Sequence, residues 1–189
     1  MRLRYAGRSD EPLTGVGRQQ IADLTADLRG HGIREIWTSG IARACESAEV
    51  IVEQLDAPVR INTRLNEIAM GPWEGLAEAD VAMRYPAEFE LWHTAPDLVM
   101  VEGRETLQAV AERMRGVLAE ASDRPQPVLL VTHVAPIRVA VLGVLCVPLR
   151  CYKDVVVNNA DCFVVDLASQ EVRRLNRSES LRLELGAWR

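Results

Sequence analysis

Apolar positions recur along the chain with two periods, and their alternation sets the fold class. Ile21, Leu24 and Leu28 follow Thr14 as an i, i+3, i+7 stripe that stops at Gly30 and Gly32. This predicts a helix capped by Thr14 at its start and by glycine at its end. Residues 35–39 read as a short strand. Ala44, Ala48, Ile51 and Leu55 share one face of a helix over 41–55. A short strand is expected at 59–61, closed off by Pro58, and a loop at 66–75, which holds Gly71, Pro72 and Gly75. One or two short helices broken by Pro86 and Pro96 fill 76–97. Thr106 starts an amphipathic helix through Val110, Met114 and Val117 that ends near Ala121. Pro125 and Pro127 lead into an apolar strand at 128–131. Pro136 sits in the first turn of the next helix, where its missing N–H costs nothing. Closing strands are expected at 155–157, 162–167 and 172–175.

Strands alternating with helices predict an α/β fold, a three-layer arrangement with a mostly parallel sheet and helices on both faces. At 189 residues one domain is expected, 1–189, with a small helical cap at about 76–105 over the sheet. The net charge of −5 argues against a general nucleic-acid binder and still allows a local basic pocket for a phosphorylated metabolite. No apolar run approaches the ~20 residues needed to span a bilayer. The start, Met1-Arg2-Leu3-Arg4-Tyr5, carries no signal-peptide core, so the expected location is cytoplasmic. Cys45, Cys146, Cys151 and Cys162 form no C-x-x-C pair and read as reduced thiols, mostly core filler. No metal and no cofactor is expected.

The candidate chemistry begins at His133, which leaves the carboxyl end of the 128–131 strand just before a helix starts. Open α/β sheets carry their chemistry at that end, and the helix N-terminus favours an anion. Arg43 lies in the first turns of a helix that also follows a strand, where a guanidinium can clamp phosphate oxygens bidentately. Glu67 lies in the glycine-rich loop beside Trp73. Apolar surroundings favour its neutral form and suit it to protonate a leaving alkoxide; the bland alternative is a carboxylate capping a backbone N–H. His31, between Gly30 and Gly32, reads as part of a helix C-cap, and His93 as a partly exposed residue of the cap.

Five segments resemble, in order, motifs of the histidine phosphatase superfamily, the phosphoglycerate-mutase-like fold. Gly7-Arg8-Ser9-Asp10-Glu11-Pro12-Leu13-Thr14-Gly15-Val16-Gly17 is similar to its G-x-S-D-x-P-L-T-x-x-G loop. The segment 39–48 resembles S-P-x-x-R-A-x-x-T-A, with Gly40 for the proline and Ser47 for the threonine. The segment 65–75 matches L-x-E-x-x-x-G-x-W-E-G, Gly103-Arg104-Glu105-Thr106 looks like G-G-E-S, and Val131-Thr132-His133 corresponds to V-S-H. The Leu65-Asn66-Glu67 lead-in, the His133-to-Arg138 segment and Arg174-Leu175-Asn176 look closest to α-ribazole phosphatases. The resemblance implies hydrolysis of a small phosphomonoester without a metal. Glu67 would be the leaving-group acid, Arg43 one clamp and His133 the second, charge-stabilising histidine. Gly7, Ser9 and Val134 would be phosphate-facing positions, with Val134 standing where the family commonly has glycine.

The resemblance also implies a first strand ending in R-H-G, whose histidine takes the phosphoryl group. It would precede Gly7, where only six residues stand, and Met1 to Tyr5 alternates polar and apolar positions instead of running apolar. The first strand is therefore expected to be short or missing. Three readings follow: a phosphatase whose R-H-G is supplied upstream, a repurposed isomerase, lyase or cyclase using His133 and Glu67 for acid–base work, or an anion-binding pseudoenzyme. The expected partner is a small molecule, with no nucleic acid and no membrane. A homodimer contact is expected from Leu181, Leu183, Leu185 and Trp188.

Overall fold

The computed structural model describes residues 4–175. The dimer-contact leucines and Trp188 lie outside that range, as does Asn176. Helix α1 spans Gly15–Leu28, and Thr14 caps it by accepting the Gly17 N–H at 3.0 Å. Strand β1 (Glu35–Thr38) leads into α2 (Ala42–Val52), and β2 is Val59–Ile61. The cap region holds α3 (Glu78–Arg84) and α4 (Pro86–Thr94), separated at Pro86, which cannot donate to a continuing ladder. Helix α5 spans Leu107–Ser122 behind Thr106, β3 spans Val128–Val131, and α6 spans Val134–Val144. Strands β4 (Phe163–Asp166) and β5 (Glu171–Arg174) follow.

The three parallel strands lie in the order β2-β1-β3, with Thr38 opposite both Ile61 and Val131. Their carboxyl ends are thus level, and the loops leaving them converge. The core packs α5, α6 and the cap onto one face of this sheet through Trp37, Leu65, Trp73, Val81, Val110, Met114, Val117 and Leu142. A smaller cluster of Ile36, Ala48 and Ile51 seats α2 on the other face. No helix among the described residues is long and apolar enough to cross a membrane.

Several expectations change. Strands β4 and β5 form a separate antiparallel hairpin, so the closing strands do not extend the parallel sheet. Residues 155–157 are not a strand: a 3-10 helix occupies Leu149–Asp154, and the Val155 and Val156 carbonyls are taken by the side chains of Arg138 and Arg174. Of the four thiols only Cys151 is buried, while Cys146 is exposed, so the cysteines are not mainly core filler. Arg4 makes an isolated antiparallel bridge to Ala77, and Tyr5 exchanges backbone bonds with Leu76 and Gly75. The described start of the chain therefore borders the cap and adds no strand to the sheet.

Strand β3 is only half-buried, although it is continuously apolar. Its partner is β1, and its other edge borders a cavity of about 1150 Å³ that reaches β4. Leu130 and Val131 of β3, Phe163 and Val165 of β4, and Leu28 and Met114 are among the residues that line that groove.

Candidate active site

The level ends of β1 and β3 bring two polar side chains together. The Ser39 N–H donates to the Val131 carbonyl at 3.0 Å, which continues the ladder by one residue past β1. Ser39 Oγ then lies 2.6 Å from His133 Nε2, with both residues buried. The same hydroxyl accepts the Ile41 N–H at 3.2 Å, so its position is fixed from the start of α2. His133 is the N-cap residue of α6, in extended backbone conformation, and its carbonyl receives the Ile137 N–H at 3.0 Å.

Glu67 reaches the same helix end from the other side. Thr132 Oγ1 donates to the Leu65 carbonyl at 2.7 Å, which ties the loop after β2 to the strand end. Glu67 Oε1 accepts the Ile68 N–H at 2.8 Å and the Ala135 N–H at 3.1 Å. The carboxyl is 8% exposed, and burial pushes its pKa up against the pull of those two N–H groups and of Arg43 and Arg113. It therefore holds a proton to higher pH than an exposed glutamate. His133 moves the other way. Burial, then the charges of Arg43 and Arg113, push its pKa down to about 3, so the imidazole is neutral at pH 7.

Arg43 is held by backbone on two sides of its fork. Its Nη1 donates to the Ser9 carbonyl at 2.9 Å and its Nη2 to the Gly7 carbonyl at 2.8 Å. The Gly7 and Ser9 N–H groups both point at Glu74 Oε1, at 2.7 and 3.2 Å. Those amides are thus engaged with Glu74, and the segment's visible contribution is to seat Arg43. A Cβ at Gly7 would stand 2.5 Å from the Ile68 carbonyl oxygen, so the segment passes this closely only as glycine. Val134 is the first residue of α6 and is 39% exposed.

The structure thus gathers Glu67, His133 and Arg43 at the α6 N-terminus, with Gly7 and Ser9 behind Arg43. His31 follows α1 in a turn with positive φ at Gly30 and Gly32, and His93 bonds the Phe89 carbonyl and Glu78 at 2.8 and 3.2 Å. Neither joins the group.

Ser39, Arg113 and Arg8 join the site without having been singled out in the sequence. Arg113 forks onto Glu105 at 2.8 and 3.1 Å, and its charge acts on both Glu67 and His133. Although burial opposes it, Arg113 holds the Glu105 carboxyl below its ordinary value. Arg8 donates to the Glu67 carbonyl at 3.1 Å and to Glu105 at 3.2 Å. The available signal for Ser39 was its place at the head of the segment that resembles S-P-x-x-R-A-x-x-T-A. Arg113 had none, since a single arginine on an amphipathic helix reads as surface.

A guanidinium, a neutral imidazole and a carboxyl with a raised pKa at a helix N-terminus suit an oxyanion that loses an alkoxide. Known proteins resemble this chain in sequence and fold. The family model for branch 1 of the histidine phosphatase superfamily matches residues 1–178. Phosphoserine phosphatase 1 of Hydrogenobacter thermophilus is 30% identical over 187 residues, covering 98% of this chain and 88% of that protein. The mycobacterial glucosyl-3-phosphoglycerate phosphatase structure superposes with a TM-score of 0.77 at 27% identity, over 85% of this chain and 80% of that one. The α-ribazole phosphatase of Shigella flexneri gives 0.78 at 22% identity, over 92% and 88%, a likeness of fold. The chain belongs to the histidine phosphatase superfamily, branch 1.

Proposed function

We propose that the protein serves the hydrolysis of a small phosphomonoester at the α6 N-terminus. The observation that carries this reading is the meeting of Glu67 and His133 on one helix start within the field of Arg43. Arg43 and His133 hold the phosphoryl oxygens. An imidazole in line with the leaving group attacks phosphorus, the P–O bond to the alcohol breaks, and Glu67 gives its proton to the departing oxygen. Water then attacks the phosphohistidine, and the Glu67 carboxylate takes the proton that water releases.

His133 does not serve as that nucleophile, because its Nε2 is engaged with Ser39 Oγ. The reading needs the R-H-G strand of the family, and the groove along the unpaired edge of β3 supports it by leaving room for one further strand there. Phosphoserine phosphatase 1 and glucosyl-3-phosphoglycerate phosphatase support the reaction class, as their names place both on small phosphorylated metabolites.

A second reading rests on the state of the two groups. A neutral imidazole beside a carboxyl whose pKa is raised by burial forms an acid–base pair suited to isomerisation, elimination or cyclisation without a phosphoryl-enzyme. Phosphate release from p-nitrophenyl phosphate separates the two. It is to be measured on the 189-residue chain and on the chain extended through any in-frame upstream codons. Release that is lost in Glu67→Ala and Arg43→Met supports the phosphatase. No release from either chain, with inorganic phosphate still bound by calorimetry, defeats it in favour of the second reading or of an anion-binding pseudoenzyme.

A further inference from the structure

Arg104 is 6% exposed, yet its Nε and Nη2 have no hydrogen-bond partner among the described residues. Its Nη1 reaches only the backbone carbonyl of Glu105, at 3.2 Å. The guanidinium carbon lies 4.5 Å from the ring centre of Trp92 and 5.1 Å from that of Trp73. The indole N–H of Trp73 is also buried without an acceptor. Three nitrogens of one aromatic cluster thus lack an oxygen to donate to. Buried charge without a counter-charge is costly, and native proteins retain it where something supplies the partner.

Among the described residues no anion fills that place. The acidic groups that Arg104 feels are Tyr152, Tyr5 and Glu105, and of these Glu105 is already shared among Arg113, Arg8 and the Ala69 N–H. Further positive charge stands close by. Lys153 Nζ is 5.3 Å from the Trp92 ring centre, and the Arg138 guanidinium is 4.9 Å from the Tyr152 ring. In the turn Gly103-Arg104-Glu105-Thr106, arginine stands where the resembled G-G-E-S motif has glycine.

The cluster adjoins the acid. The Glu105 N–H donates to the Ala69 carbonyl at 2.9 Å, and the Ala69 N–H returns a bond to the Glu105 carboxylate at 3.1 Å. The turn bearing Arg104 is thereby stitched to the loop bearing Glu67. Glu67 and Arg104 both act on the hydroxyl of Tyr152, whose ring lies 5.4 Å from that of Trp92.

We propose that Arg104, assisted by Lys153, forms a second anion subsite beside Glu67, and that the substrate carries a carboxylate or a second phosphate besides the ester phosphate. The Nε and Nη2 N–H groups share one edge of the guanidinium, the edge that takes two oxygens of such a group at once. This assignment rests on the phosphomonoester reading, because it places the second charge relative to the Arg43–His133 phosphate site.

Calorimetric binding tests it with inorganic phosphate and two matched pairs of esters. Phosphoserine is compared with phosphoethanolamine, which lacks the carboxylate, and propanediol bisphosphate with its monophosphate. The wild-type chain is expected to prefer the doubly acidic member of at least one pair by about 10- to 100-fold, the range of one charge-assisted hydrogen-bond set. The preferred pair identifies the acidic group. Arg104→Met is expected to bring that preference to about one and leave inorganic phosphate affinity within about twofold, with Arg104→Lys in between. If Arg104→Met does not fold, Arg104→Lys alone must still cut the preference severalfold. No preference in the wild type, or one that survives these changes, overturns the assignment while phosphate binding stands. Failure of the wild type to bind inorganic phosphate overturns the phosphate-site reading and the subsite with it.

Discussion

The carboxylate of Glu67 accepts the backbone N–H of Ala135 at 3.1 Å, so the candidate acid is itself a cap on the helix whose N-cap residue is His133. The two roles weighed from the sequence, helix cap and general acid, are therefore not exclusive. The bond to the helix aims the carboxyl at the place where an anion would sit, and burial keeps its proton available.

Glu67→Gln separates those roles. The amide oxygen can still accept the Ala135 N–H, so the melting temperature is expected to change little. Glu67→Ala leaves the Ile68 and Ala135 N–H groups without their acceptor and should cost about 1–3 kcal/mol. Loss of the proton donor should lower kcat on alkyl phosphates in both variants by about 10²- to 10⁴-fold, and by much less on p-nitrophenyl phosphate, whose leaving group needs little protonation. Equal losses on both substrates would remove Glu67 from the acid role.

Arg43 shows how a clamp is preset. Its fork is braced by the Ser9 and Gly7 carbonyls, whose own amides are braced by Glu74. Arg43→Met is expected to weaken inorganic phosphate binding at least about tenfold by calorimetry. Arg43→Lys should recover little of it, because a single ammonium nitrogen lacks the planar fork whose separate nitrogens reach the Ser9 and Gly7 carbonyls and still present donors to a phosphate. Full recovery by lysine would mean that charge alone suffices there.

His133 supplies a pH signature. An unfolded histidine protonates near pH 6.5, whereas the folded imidazole stays neutral to about 3. Between those values the unfolded state binds more protons, so this residue's contribution to stability is full above pH 6.5 and declines as pH falls toward 3. The decline is on the order of 5 kcal/mol. Urea unfolding of wild type and His133→Gln across pH 3.5–7 should show a shallower acid loss in the variant. Parallel pH profiles would contradict a neutral buried imidazole. Phosphate, by adding negative charge beside Arg43, should raise the His133 pKa in an NMR titration.

Much of this was written locally in the chain. Thr14 and Thr106 mark helix starts, continuous apolar residues mark β3, and the turn after Val131 places His133 at a strand end. Glu67 and Arg43 could be named from loop composition and helix position. Tertiary features had no such local sign. The Leu149–Asp154 turn displaced an expected strand because Arg138 and Arg174 capture the carbonyls that follow it. The exposed edge of β3 depends on which strands pair, which apolar periodicity does not encode. Arg113 and Arg104 look like surface arginines until the fold surrounds them.

Gly71 offers a test of how rigidly Glu67 is held. Its φ is +56°, and a Cβ there would lie 2.6 Å from the carbonyl carbon and oxygen of Gly103 and 2.7 Å from the Arg104 nitrogen. These are backbone atoms that cannot rotate aside, so Gly71→Ala must push the 101–106 turn away from the 66–75 loop. Gly75 is the control. Its φ is +73°, yet nothing stands within 4 Å of a Cβ, so Gly75→Ala should cost only the strain of the left-handed backbone, about 1–2 kcal/mol. Gly71→Ala adds overpacking of about 1–3 kcal/mol to a similar strain. Urea midpoints should therefore fall clearly further for Gly71→Ala than for Gly75→Ala. The fluorescence of Trp73, which lies two residues along the same turn, should shift in the first variant alone. Because the Ala69–Glu105 bonds span the same seam, Gly71→Ala should also lower kcat by displacing Glu67 from the α6 N-terminus. Equal midpoints for the two variants would show that the seam yields, and that Glu67 is held by its own hydrogen bonds to Ile68, Ala135 and Arg8 without it.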